Sequence, residues 1–163
     1  MPAGLGVNMC ADLWSFSLST YAHPGVEAAC LRLQEQGADV CLLLCGAWLE
    51  QRAVAVTAER IQALKQTAGP WQAQVIEPLR QVRRQWRETA QHDENLAGLR
   101  ERVKTLELDA ERQLLTRLEA LAHLWPTGDA MAQQRWLEGL AAEDAANLDH
   151  DALQALRVAA TSA

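Results

Sequence analysis

Phe and Tyr occur only once each in this chain of 163 residues, against six Trp. β-branched residues are also sparse beside abundant Ala, Leu, Gln, Glu and Arg, which argues against a sheet-rich fold and for helices. No run of apolar residues is long enough to span a bilayer: the longest, Val40 to Leu49, covers about half a span. Met1 to Asn8 contains no Lys or Arg followed by an apolar stretch, so no targeting signal is expected and the chain reads as cytoplasmic. Basic residues are scarce at the start. Residues 1–50 hold one basic and five acidic side chains, residues 51–92 seven and three, and residues 93–163 seven and thirteen. The net charge of −6 therefore hides one basic segment in the middle.

Several chemistries lack their motifs. There is no Gly-rich phosphate loop, no GxSxG, no CxxC, HxxxH or HExxH, and no His beside an obvious nucleophile. His23, His92, His123 and His150 fall at helix ends or on polar faces, and no cofactor is implied. Cys41 and Cys45 share a helical face at i, i+4 and could hold a soft metal with Cys10, Cys30 or His23. Buried, reduced thiols are the simpler expectation in a domain large enough to fold without staples, so no metal site is assigned.

What is present is helical periodicity. Asp12 can cap a helix with Trp14, Leu18 and Tyr21 on one stripe, and Pro24 suits the first position of a second carrying Val26, Ala29, Cys30 and Leu33. Asp39 stands at the start of a third, apolar on nearly every side from Leu42 to Leu49, which should be central. Thr57 caps a fourth with Ile61 and Leu64, expected to stop near Gly69 and Pro70. Trp71, Val75, Leu79, Val82 and Trp86 form the next stripe, with a bend expected at Pro78. After a polar break at Gln91–Glu94, Leu96, Leu99, Val103, Leu106, Ala110, Leu114, Leu118, Leu121 and Trp125 continue that spacing. At ~1.5 Å per residue this second arm exceeds roughly 40 Å and should project beyond the core. A seventh helix from Asp129 through Met131, Trp136, Leu137 and Leu140, and an eighth from Asn147 or Asp149 through Leu153 and Leu156, complete the chain, with a frayed end at Thr161–Ala163.

The fold class expected is all-α: a single-domain helical bundle of about seven or eight helices with a long antiparallel helical hairpin. Its parts are a flexible lead (1–10), core helices (12–69), the hairpin (71–125) and C-terminal helices (129–160).

The residues Asp12-Leu13-Trp14, Phe16, Leu18, Tyr21, Gly25-Val26, Ala29-Cys30-Leu31, Leu33-Gln34, Gly37 to Val40, Leu42-Leu43, Cys45 and Trp48-Leu49 resemble the pattern of an uncharacterised bacterial family of small proteins, a domain of unknown function. Trp71, Pro78-Leu79-Arg80 and Arg83-Arg84 extend the likeness, which covers roughly residues 10–125; Cys41 departs from it, where Asn is expected. The resemblance implies a helical cytoplasmic protein and supplies no catalytic residue.

Arg80, Arg83, Arg84 and Arg87 lie at i, i+3, i+4 and i+7, a row that could grip an acidic partner or an anion. Folding the hairpin back brings that row beside Glu101, Glu107 and Glu111, so internal pairing competes with any such role. Overall acidity and the lack of a recognised module argue against nucleic acid. The six tryptophans fit core stripes, their indole N–H groups needing partners such as Gln34. These features point to a non-enzymatic interaction or regulatory protein whose partner, another protein or a second copy, contacts the hairpin or its arginines. The alternative is a small-molecule-binding or enzymatic protein with a pocket between the first helices, lined by Tyr21, Gln34, Asp39 and Trp48.

Overall fold

A computed structural model describes residues 12–129, 135–141 and 149–162. The expected lead at 1–10 with Cys10, the positions Met131 and Asn147, and Ala163 lie outside the described residues. All regular structure among the described residues is helical: α1 (Leu13–Tyr21), α2 (Val26–Glu35), α3 (Val40–Gln51), α4 (Ala58–Trp71), a π-helical segment (Gln72–Ile76), α5 (Glu77–Gln85), α6 (Arg87–Ala90), α7 (Glu94–Ala122), α8 (Trp136–Leu140) and α9 (His150–Thr161). Among those residues no helix is long and apolar enough to cross a membrane.

Side-chain caps set the helix starts. Asp12 accepts from Ser15 N, Thr57 from Arg60 N, Asp93 from Asn95 N and Leu96 N, and Asp149 from Ala152 N, each using a backbone donor the helix leaves unpaired. α2 begins later than Pro24. Gly25 stands at its N-cap with φ 85°, a left-handed geometry that glycine tolerates and a helix interior does not, so His23–Gly25 form a turn and Val26 opens the helix. At the other end α9 runs to Thr161, with Ser162 at its C-cap.

α3 is central: every residue from Cys41 to Glu50 is buried, with α1, α7, α8 and α9 packed around it. Gly46 permits close approach, because a Cβ there would stand 3.0 Å from Leu140 Cδ1 of α8. Glu50 is the charged exception. Its carboxylate accepts from Arg157 Nε at 2.8 Å, Arg157 Nη2 at 2.9 Å and Leu137 N at 3.2 Å, tying α9 and α8 to α3. Beside it Trp136 Nε1 donates to Val54 O at 2.8 Å.

The stop expected at Gly69 and Pro70 does not occur. α4, the π segment and α5 are one continuous rod, because Leu64, Ala68 and Ile76 are buried on both sides of Pro70 and Trp71 Nε1 donates to Ala110 O at 2.9 Å. Pro70 itself is exposed, and Pro78 follows the π segment, whose wider turn accommodates a residue without an amide hydrogen. Hairpin contacts run antiparallel: Trp71 meets Ala110, Arg80 meets Glu107, and Arg83 meets both Glu107 and Arg100.

Two predicted stripes face elsewhere. On α7 Leu99 and Leu106 are exposed by 46% and 53%, since beyond Glu107 only the other arm remains to cover one narrow face. On α1 the buried side is Leu13, Phe16, Ser17 and Thr20, whereas Leu18 and Tyr21 are exposed and Trp14 packs, partly buried, against the edge of the core. Residues 130–134, which follow the start expected at Asp129, lie outside the described residues; α8 itself is Trp136–Leu140, with Arg135 at its N-cap.

Candidate functional site

The stripe that α1 withholds from the core opens onto a cavity of about 300 Å³ between α1, α2, α3 and the hairpin. Trp14, Ser17, Leu18 and Tyr21 line it from α1, Cys30, Leu31 and Gln34 from α2, and Val40, Cys41 and Leu44 from α3. The hairpin supplies Gln72, Arg80, Arg83, Glu107, Leu108, Glu111 and Leu115. One end is apolar and partly open, and the other is a charged network.

Arg80 is the centre of that network, buried on the inner face of α5. Its Nε donates to Glu107 Oε2 at 3.2 Å and its Nη1 to Glu77 Oε2 at 3.3 Å, and its Nη2 lies 3.8 Å from Glu111 Oε1. Gln34, with its amide oxygen turned to the guanidinium, accepts from Nη1 at 2.8 Å and Nη2 at 3.1 Å. Arg83 grips the same Glu107 through Nε at 2.6 Å and Nη2 at 3.3 Å.

The carboxyls respond differently to this setting. Burial works to raise Glu107, but the bonds from Arg83 and Arg80 outweigh it and hold the group below its ordinary range. Glu111 has only the long contact to Arg80, so burial, reinforced by the neighbouring Glu107, pushes it up to about 7. Asp39 is likewise raised by burial, against hydrogen bonds from Gln72 and the amides of Leu42 and Cys41 and the charge of Arg80. Burial also lifts Tyr21 to about 12 and Cys30 to about 11, and puts Cys41 and Cys45 well above the ordinary thiol range. Such thiols are neutral and unreactive.

Ser17 and Thr20 of α1 are buried and their hydroxyls have no hydrogen-bond partner among the described residues; of the two, only Ser17, 4% exposed, lines the cavity. An unpaired buried hydroxyl costs about 1–3 kcal/mol, which a bound group could recover.

The residues singled out in the sequence are distributed as follows. Tyr21 and Gln34 line the cavity, and Asp39 lines an adjoining groove that shares Gln34, Gln72 and Arg80 with it. Trp48 belongs to the core and sits 4.5 Å under the Arg52 guanidinium. Arg80 and Arg83 turn into the network, while Arg84 and Arg87 are exposed. Of the expected counter-ions, Glu107 and Glu111 face the arginines, and Glu101 pairs with Lys104. Cys30, Cys41 and Cys45 are free and buried. Among the described residues no three His, Cys, Asp or Glu side chains are grouped to hold a metal. Sequence reasoning missed Ser17 and Gln72. Ser17 carried a signal, since it lies at i+4 from Leu13, the same spacing that brings it onto the buried face.

A family model described as "Protein of unknown function (DUF2390)" matches residues 12–118. The chain belongs to this family. The DUF2390 match begins at the cap of α1 and ends within α7, so every residue lining the cavity, from Trp14 to Leu115, falls inside it. α8 and α9 lie beyond the DUF2390 match. Neither the comparison with curated proteins nor that with solved structures gives a match.

Proposed function

We propose that this DUF2390 protein binds a small organic molecule, non-enzymatically, in the cavity between its first three helices and the hairpin. The observation that carries the reading is the pairing of an apolar mouth with an orphaned, buried Ser17 hydroxyl. Small-molecule sites are mostly apolar concavities with a few placed polar groups, and this one has that composition. Nile red, a neutral dye that brightens in apolar surroundings, should bind the wild-type protein. Ser17→Leu fills the cavity from its wall and should abolish that signal while thermal unfolding stays cooperative. Equal dye binding by the filled variant would place the dye elsewhere and end the proposal.

A second reading keeps the hairpin as a docking arm for a partner protein, favoured by exposed Leu99 and Leu106 beside Trp86 and Val103 on its outer side. An unpartnered apolar strip of this kind suits the apolar face of a partner's helix. A protein captured by the wild type and lost by the double variant Leu99→Glu, Leu106→Glu would support it; capture that survives both changes would not.

A further inference from the structure

Resting on the ligand-cavity reading, we infer that the occupant is a cationic amphiphile: an organic amine whose ammonium group is received by Glu111 and Ser17, with its hydrocarbon part against Trp14, Leu18, Leu31 and Leu108. The apolar half of the assignment comes from the rim. Leu18, Tyr21, Leu31 and Leu108 all line the cavity while remaining among the exposed large hydrophobics of the protein, Leu18 by 51% and Leu31 by 49%. Isolated exposed leucines are ordinary, but four apolar side chains around one opening leave a surface that a hydrocarbon chain would cover.

The cationic half comes from the floor. Both guanidinium groups already have carboxylate partners, Arg83 in a two-bond contact with Glu107 and Arg80 shared among Glu107, Glu77 and Gln34. A carboxylate or phosphate head group would be left with the donors those contacts do not use, such as Arg83 Nη1, and would stand beside the carboxylates of Glu107 and Glu111. Glu111 is the least satisfied acceptor, since its nearest cation is 3.8 Å away and it accepts no hydrogen bond among the described residues. The adjoining groove, lined by Asp39 and Glu77 together with Lys65, Arg80 and Arg84, adds no net negative charge, so the assignment rests on Glu111 itself. An ammonium group has three donors and no acceptor, so it can satisfy a carboxylate and the Ser17 Oγ together. An alcohol could pair with Ser17 but would leave the carboxylate unbalanced.

Protonation of Glu111 gives the assignment a pH signature. The groups facing it are Arg80 and Arg83 on α5, Asp39 at the start of α3 and the neutral Cys41 thiol within it, Tyr21 on α1 and Glu107 on its own helix. With Glu111 titrating at about 7 in the empty protein, the ammonium binds the ionised form and its affinity climbs as pH rises from about 6 to about 8.

Displacement of Nile red by octylamine, 1-octanol and octanoate, which share one chain length, tests this at about pH 8. Octylamine should bind about tenfold more tightly than 1-octanol, with octanoate weakest, a step of the size expected for one charge-assisted contact. Glu111→Gln should remove the octylamine advantage and its pH dependence while 1-octanol keeps its affinity. Ser17→Ala should weaken octylamine and 1-octanol alike. If 1-octanol or octanoate matches octylamine, or Glu111→Gln leaves octylamine unchanged, the amine assignment is wrong although the cavity remains a site. If none of the three displaces the dye and Ser17→Leu still binds it, the cavity reading fails and the amine with it.

Discussion

Glu107 and Glu111 are one helical turn apart on α7, face the same two arginines, and are driven in opposite directions. Two guanidinium groups bond the first, and the second is left with one distant contact. Glu111 is raised from its ordinary 4.5 to about 7, so its neutral form favours the folded chain. That stabilisation is complete below the unfolded value and is lost as pH rises through about 7. Glu107, depressed, does the reverse: its contribution is present above the unfolded value and disappears as pH falls through the folded one. Glu111→Gln should therefore melt close to wild type at about pH 4 and above it at about pH 8, as thermal unfolding followed by circular dichroism would show. Matching curves at both pH values would mean that Glu111 ionises as freely in the fold as out of it.

At the scale of elements, tertiary packing overrides local chain-breaking signals. The pair Gly69-Pro70 carries a strong stop signal, yet α4 passes through it because buried side chains and the Trp71–Ala110 bond hold the rod on both sides. Pro70 sits on the exposed side and leaves one helical acceptor without its usual donor. Pro70→Ala should restore that donor and stabilise the protein by up to about 3 kcal/mol, the helix-interior penalty of proline, reduced by the added freedom of the unfolded chain. Chemical denaturation would measure it; a loss of stability would show that the proline ring packs productively. The α1 stripe teaches a related lesson. Trp14, Leu18 and Tyr21 have the spacing of a core face, and periodicity cannot distinguish a face that meets a neighbouring helix from one that meets a cavity.

Across the whole molecule, charged contacts tie the C-terminal helices to the family-matched region: Arg32 of α2 meets Asp149 at the cap of α9 at 3.0 Å, and a more buried clamp centres on Glu50. Arg157 of α9 bonds Glu50 of α3 and Glu138 of α8, and the Glu50 carboxylate also receives the Leu137 amide. Arg157→Ala should cost about 3–5 kcal/mol, because it leaves a buried carboxylate without its cation. A change below about 1 kcal/mol in denaturant unfolding would place the pair among weak surface contacts. The sequence by itself determined the all-helical class, the caps at Asp12 and Thr57, the helix start at Asp39, the central apolar α3 and the long second arm, because these depend on residues within a few turns of one another; it left the last start open between Asn147 and Asp149. Only the tertiary structure decided that Arg80 and Arg83 turn inward while Arg84 and Arg87 do not, and that Ser17 and Glu111 meet at one cavity. Those outcomes depend on which helix lies opposite, and the charge balance and burial that give each side chain its chemistry exist only once the hairpin has closed against α1, α2 and α3.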